Sequence, residues 1–172
     1  MIMRNSLLLI VGGVIAASAL VYAGGGMRSA QAESAVKLPA PAFSMPADPQ
    51  ATRATAVFAG GCFWSMERPF DHTPGVTSVI VGYTGGTTAN PTYDEVGTRT
   101  TGHAESVEVR YDPSRVSYEK LLYIYWHNID PITREAQFCD HGNEYRTAIF
   151  YHNEAQKKAA DASKAELDKS AL

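Results

Sequence analysis

Cys62 leaves a pair of glycines and enters a pair of large aromatics in the run Gly60-Gly61-Cys62-Phe63-Trp64-Ser65-Met66-Glu67-Arg68-Pro69. The apolar stretch Ala54 to Ala59 reads as a strand, the glycines let the backbone turn, and a helix is expected from Phe63 to His72. A thiol at that junction faces the unpaired N–H groups of the first helical turn, whose partial positive charge favours a thiolate. Such a sulfur can attack an electrophile. Phe63 and Trp64 are an odd choice for an exposed helix opening unless they line an apolar part of a substrate. The chain's other cysteine, Cys139, lies far downstream, so the two form no CxxC zinc or redox motif, and in an exported protein they can also form a structural disulfide. A lone cysteine is otherwise most often a small buried hydrophobe.

The elements that must position these groups follow from periodicity. After the first strand and helix, a strand is expected over Thr77–Tyr83 and then a Gly/Thr-rich loop from Thr84 to His103. Loops of this length without structure are usually functional. A third strand alternates through Ala104, Val107, Val109 and Tyr111. Ser117 supplies a capping hydroxyl for a helix whose Leu121, Leu122, Tyr125 and Trp126 share one face. A strand over Tyr145–Tyr151 and a solvated surface helix from Glu154 to about Lys169 complete the order. β-α-β-β-α-β is the order of the ferredoxin-like plait, an α+β fold in which two helices cover an antiparallel sheet.

At 172 residues, with 45% hydrophobic and 19% charged content, the chain suits one globular domain and a short appendage. The appendage is at the front. Arg4 precedes the uncharged apolar run Leu7–Ala23, and Ser29-Ala30-Gln31-Ala32 is a small-residue motif of the Ala-x-Ala kind. Residues 1–32 therefore read as a signal peptide and the product as exported, to the periplasm. An uncleaved anchor holding the protein to a membrane is the rival reading. Residues 33–50, with Pro39, Pro41, Pro46 and Pro49, read as a linker, and the domain spans 51–172. A net charge of −3 with no basic stripe argues against a nucleic-acid partner.

The Gly-Cys-Phe-Trp run followed by Glu67 resembles the signature of the A-type peptide methionine sulfoxide reductases. Gly82-Tyr83-Thr84-Gly85-Gly86, Asn90-Pro91-Thr92-Tyr93-Asp94-Glu95-Val96, Thr101-Gly102-His103-Ala104-Glu105 and Asp140-His141-Gly142-Asn143-Glu144-Tyr145-Arg146 resemble further segments of that family, over residues 54 to 170. The resemblance implies an α/β plait and a reductase that returns the S-epimer of methionine sulfoxide, free or in proteins, to methionine. It implies no bound cofactor and no metal, an external thiol reductant of the thioredoxin kind, Cys62 as nucleophile, and Phe63 and Trp64 around the substrate methyl group. Glu95 is expected as the acid, since a carboxyl in an apolar pocket keeps its proton near neutral pH. Tyr83 and Tyr145 are expected to hold the substrate oxygen, with Asp140 beside them.

Two features depart from the family pattern. Cys139 stands where most relatives carry asparagine, which makes it a candidate resolving cysteine for a Cys62 sulfenic acid. The usual C-terminal continuation, with a His-Gln-x-Tyr pattern, is not in this sequence. A thiol peroxidase, which leaves the Phe63-Trp64 pair without a purpose, and a non-catalytic ferredoxin-like module with a structural Cys62–Cys139 bond remain the alternatives.

Overall fold

In the computed structural model, residues 52–170 are described, so the signal-peptide reading and the linker lie outside them. The elements are β1 (Ala54–Ala59), α1 (Phe63–Asp71), β2 (Val76–Thr84), α2 (Tyr93–Gly97), β3 (Ala104–Tyr111), α3 (Tyr118–Trp126), β4 (Ala136–Gln137), β5 (Asp140–His141), β6 (Ala148–Phe150) and α4 (Glu154–Lys169). Four strands form one antiparallel sheet in the order β2-β3-β1-β6, and β4 and β5 form a separate two-residue ladder. With β6 as the fourth main strand, this is the ferredoxin-like arrangement expected from the sequence.

The register explains the core. Val79 pairs with Val109 and Val81 with Val107, while Phe58 pairs with Val107. These residues belong to the row that α1 and α3 cover, and Arg110 and Ile80 on the alternate positions are exposed, the pattern of a sheet with one dry face. Phe58 lies at the centre, its ring 5.2 Å from Phe70, 5.0 Å from Tyr125 and 6.1 Å from Tyr118. α3 starts where expected, with the Ser117 hydroxyl accepting from Lys120 N–H. α4 is mostly solvated, yet Gln156 is buried and donates to the Thr55 carbonyl at 2.7 Å, and Ser163 accepts from the Trp126 indole at 3.1 Å.

Two boundaries differ from expectation. The 84–103 loop is not structureless, because α2 forms inside it. Tyr145 is not in a strand: Asn143–Tyr145 makes a 3₁₀ turn, and β6 is confined to three residues. Gly142, at φ 141°, leads into that turn, a conformation open to glycine and strained for other residues.

Candidate active site

β1 ends at Ala59, and the next three residues deliver the thiol. The Tyr125 hydroxyl lies 2.7 Å from the Ala59 carbonyl and 3.2 Å from that of Ala148, so α3 pins the end of β1 to the start of β6. Gly60 has the Ile129 methyl and the Tyr125 ring against it. Gly61 turns at φ +98° with Gln137 packed on it. Cys62 is then the N-cap of α1, half-buried and free, and its carbonyl accepts from Ser65 and Met66.

A cysteine gives the helix no side-chain cap. The Phe63 N–H is instead satisfied from β3, on the sheet face that α1 covers, donating to Glu105 Oε2 at 2.9 Å. Glu105 is 5% exposed, next in the inward row that runs Tyr111, Val109, Val107. Burial pushes its pKa up, the Phe63 N–H acts the other way, and the charges of Asp140 and Glu144 add to the rise. Tyr83 pairs directly with Glu105 across β2 and β3, and its ring lies 5.6 Å from that of Phe63. Its hydroxyl is raised by burial and then by the Glu105 and Tyr93 charges. Tyr145 is pushed up to about 12 by burial, followed by Glu105, Glu144, Asp140 and Tyr93. Tyr83 and Tyr145 thus both feel the Glu105 carboxyl, and Tyr93 acts on both tyrosines.

Glu95 does not have the surroundings expected of it. It is the third residue of α2, exposed, and forms a capping box with Thr92: Oε2 accepts from Thr92 N at 2.8 Å and from the Thr92 hydroxyl at 3.0 Å. Those bonds, the backbone one first, hold its pKa below the usual carboxylate value, so it is an ionised cap in place of a pocket acid. The aromatic pair also divides, since Phe63 is buried in the core and Trp64 is 64% exposed. Asp140 is exposed in β5. His103 is buried and serves the loop: Nε2–H donates to the Thr88 carbonyl at 2.8 Å, and Nδ1 accepts from Gly86 N–H at 3.3 Å.

Cys139 and Phe138 form the turn of the β4–β5 hairpin, both exposed, with Phe138 at φ 52°. The hairpin is held by Gln137, 2% exposed, which donates to the Asp130 carbonyl at 2.6 Å and the Thr147 hydroxyl at 2.9 Å and accepts from Asp130 N at 2.7 Å. Because Gln137 also touches Gly61, one bracket connects the approaches to both cysteines. Sequence reasoning singled out the segments holding Tyr93 and Glu105 but gave neither residue a role, and it passed over Gln137. The strand alternation carries the signal for Glu105, because position 105 has the same phase as Val107 and Val109. A separate cavity of about 670 Å³ opens between the 131–135 loop, β6 and α4, lined by residues that include Trp126, Ile132, Tyr151 and Leu167. It contains none of the candidate residues.

A ferredoxin-like plait with a cysteine at the N-cap position of its first helix, where a buried carboxyl takes the next N–H, defines a class of α+β proteins built around one thiol. Within that class, the chain belongs to the peptide methionine sulfoxide reductase family, whose model matches residues 54–172. It is 55% identical over 120 residues to the peptide methionine sulfoxide reductase MsrA of Bacillus licheniformis, an alignment covering 70% of this chain and 66% of that protein. To the MsrA of Bacillus subtilis (strain 168) it is 54% identical over 117 residues, covering 68% and 66%. The chain thus spans about 66% of the length of these curated relatives. Among solved structures it is similar to methionine sulfoxide reductase A of Corynebacterium diphtheriae, with TM-score 0.64, 32% identity and coverage of 77% and 66%. It is also similar to Mxr1 from Saccharomyces cerevisiae in reduced form, with TM-score 0.65, 27% identity and 72% of each chain covered.

Proposed function

We propose that this chain reduces methionine sulfoxide to methionine, with Cys62 as nucleophile and Glu105 as proton donor. The reading rests above all on one contact, the Phe63 N–H to Glu105 bond, which sets a buried carboxyl of raised pKa against the residue that follows the thiol. The Cys62 thiolate attacks the sulfoxide sulfur, Glu105 gives its proton to the oxygen, and the hydroxyls of Tyr83, Tyr93 and Tyr145 hold that oxygen. The S–O bond then breaks. As it breaks, the protonated oxygen moves to the Cys62 sulfur and the transient bond between the two sulfurs is also broken: Cys62 is oxidised by two electrons to sulfenic acid, the substrate sulfur is reduced by two, and methionine leaves. Trp64, exposed beside Phe63, offers the apolar surface for the methyl group. Asp140 acts by charge, helping Glu105 keep its proton.

Cys139 attacks the sulfenic acid, releasing water and leaving a Cys62–Cys139 disulfide. Its seat on a two-residue hairpin turn, tied through Gln137 to Gly61, supports this, and the tip must bring the two α-carbons within about 7 Å. An external dithiol of the thioredoxin kind then returns both thiols. Preference for the S-epimer, in proteins or free, is carried over from the family. Export to the periplasm is supported by Leu7–Ala23 and the motif that follows it, with retention as an N-terminal anchor as the alternative.

The test measures methionine formed from each sulfoxide epimer with dithiothreitol, then maps cysteines by mass spectrometry after one turnover without reductant. Turnover of the S-epimer that vanishes in Cys62→Ser, together with a Cys62–Cys139 crosslink, is the expected result. Activity surviving in Cys62→Ser refutes the nucleophile, and unlinked cysteines after turnover refute the role of Cys139. Peroxide consumption without sulfoxide turnover would point to a thiol peroxidase.

A further inference from the structure

Two arginines cross between the 84–103 loop and the 140–146 turn in opposite directions. Arg146, on the turn, donates through Nη2 to the Gly102 carbonyl at 3.0 Å and through Nη1 to that of Asn143 at 2.8 Å. Arg99, on the loop, donates through Nη2 to the His141 carbonyl at 2.6 Å and through Nε to Glu144 Oε1 at 3.2 Å. Arg99 holds φ +66° just after α2, with its N–H on the Val96 carbonyl. A bulky residue in that conformation is an outlier, and such outliers cluster where geometry serves function.

Glu144 is the more unusual partner. It is 4% exposed, whereas the Arg99 side chain is 59% exposed. Its Oε2 is buried with no hydrogen-bond partner among the described residues. Gly142 lies directly against this carboxylate and leaves no room for a β-carbon. The loop side of the pair carries Tyr93 at the start of α2, and the turn side carries Tyr145 beside Glu144 itself.

We propose that the Arg99–Glu144 pair is a latch that seats the Tyr93 loop on the Tyr145 turn and sets the field at Glu105, which makes both positioning residues for sulfoxide reduction. It rests on the reading of the site given above. Glu144 faces Arg99 from the loop, Glu105 from β3 and Tyr145 from its own turn, while Ala136 and Gln137 of β4 bring no charge. Glu105 in turn faces Asp140, Glu144, Tyr83 and Tyr145. A negative charge at Glu144 makes the Glu105 proton harder to remove, and Arg99 offsets part of that charge.

Full-length Glu144→Gln, Arg99→Met and the double variant test this through two readouts: ¹³C-carboxyl NMR titration of Glu105, and kcat/KM for methionine S-sulfoxide against pH. In Glu144→Gln the Glu105 midpoint and the alkaline limb of activity should both move to lower pH. In Arg99→Met, a change at an exposed side chain, both should move to higher pH. Each single variant should lose about tenfold in kcat/KM, and the double variant no more than the worse single, as for two residues acting as one unit. Unmoved midpoints, or losses that add, overturn the latch. A wild type that turns over no sulfoxide while its Glu105 midpoint still shifts in Glu144→Gln refutes the reading of the reaction and leaves the latch standing.

Discussion

Glu105→Gln should lower kcat/KM for methionine sulfoxide by about 10²–10⁴-fold, the usual loss when a positioned proton donor is removed. Glutamine keeps the acceptor for Phe63 N–H, so the helix start stays in place and the loss reports on the proton. The wild-type pH profile should carry the same signature. The folded pKa of Glu105 lies above its ordinary value of 4.5 because burial disfavours the charged form. Below the unfolded value both states hold the proton and nothing changes with pH. Between the two values the native state holds a proton that the unfolded state has lost, so rising pH through the folded value removes both the donor and the associated stability. Glu105→Gln should flatten that alkaline limb. Glu95→Ala, in contrast, should keep most of the activity and lose only the capping box at the start of α2. If Glu95→Ala abolishes turnover while Glu105→Gln spares it, the two carboxyls have been assigned the wrong way round.

Phe58→Ala should cost about 3–5 kcal/mol, a large share of the roughly 5–15 kcal/mol that holds a typical domain together. Three rings, Phe70 of α1 and Tyr118 and Tyr125 of α3, stack on this one side chain. Removing it opens a cavity where both helices meet the sheet, and rigid aromatic neighbours are poorly able to collapse into it. Phe58→Leu keeps much of the volume and should lose far less. Urea unfolding of the three proteins measures the difference, and equal midpoints for Phe58→Ala and wild type would refute this account of the core. The damage also reaches the site, since β1 continues directly from Phe58 through Ala59 into the turn that presents Cys62.

What the sequence made legible is what neighbouring residues decide. The strand-glycine-glycine-cysteine junction, the Ser117 cap and the extent of α4 depend on local pattern, and the structure has them where the pattern put them. The choice between Glu95 and Glu105 did not yield in the same way. Both stand in segments that resemble the family, and a loop carboxyl among aromatics invites an active-site role. Strand phase separates them, because position 105 continues the inward row of β3 and Thr92-x-x-Glu95 is itself a capping-box spacing. Tyr145 was expected at the start of a strand because it begins an apolar run, but Gly142 and the 3₁₀ turn take up those residues first. Contacts such as Gln137 on Gly61 or Arg99 on Glu144 join residues far apart in the chain, and no local pattern announces them.

The start of α1 is held unlike an ordinary helix cap. A serine or asparagine at the N-cap would hold the helix in the same way at every stage, whereas here the acceptor is a carboxyl that titrates and belongs to another strand. A carboxylate accepts an N–H more strongly than a carboxylic acid does, so α1 is held more loosely while Glu105 carries its proton and more tightly once the proton has gone. On the mechanism proposed above, the rigidity of the thiol's scaffold becomes a variable of the cycle: compliant while substrate is admitted, stiff while the oxidised sulfur waits for its partner.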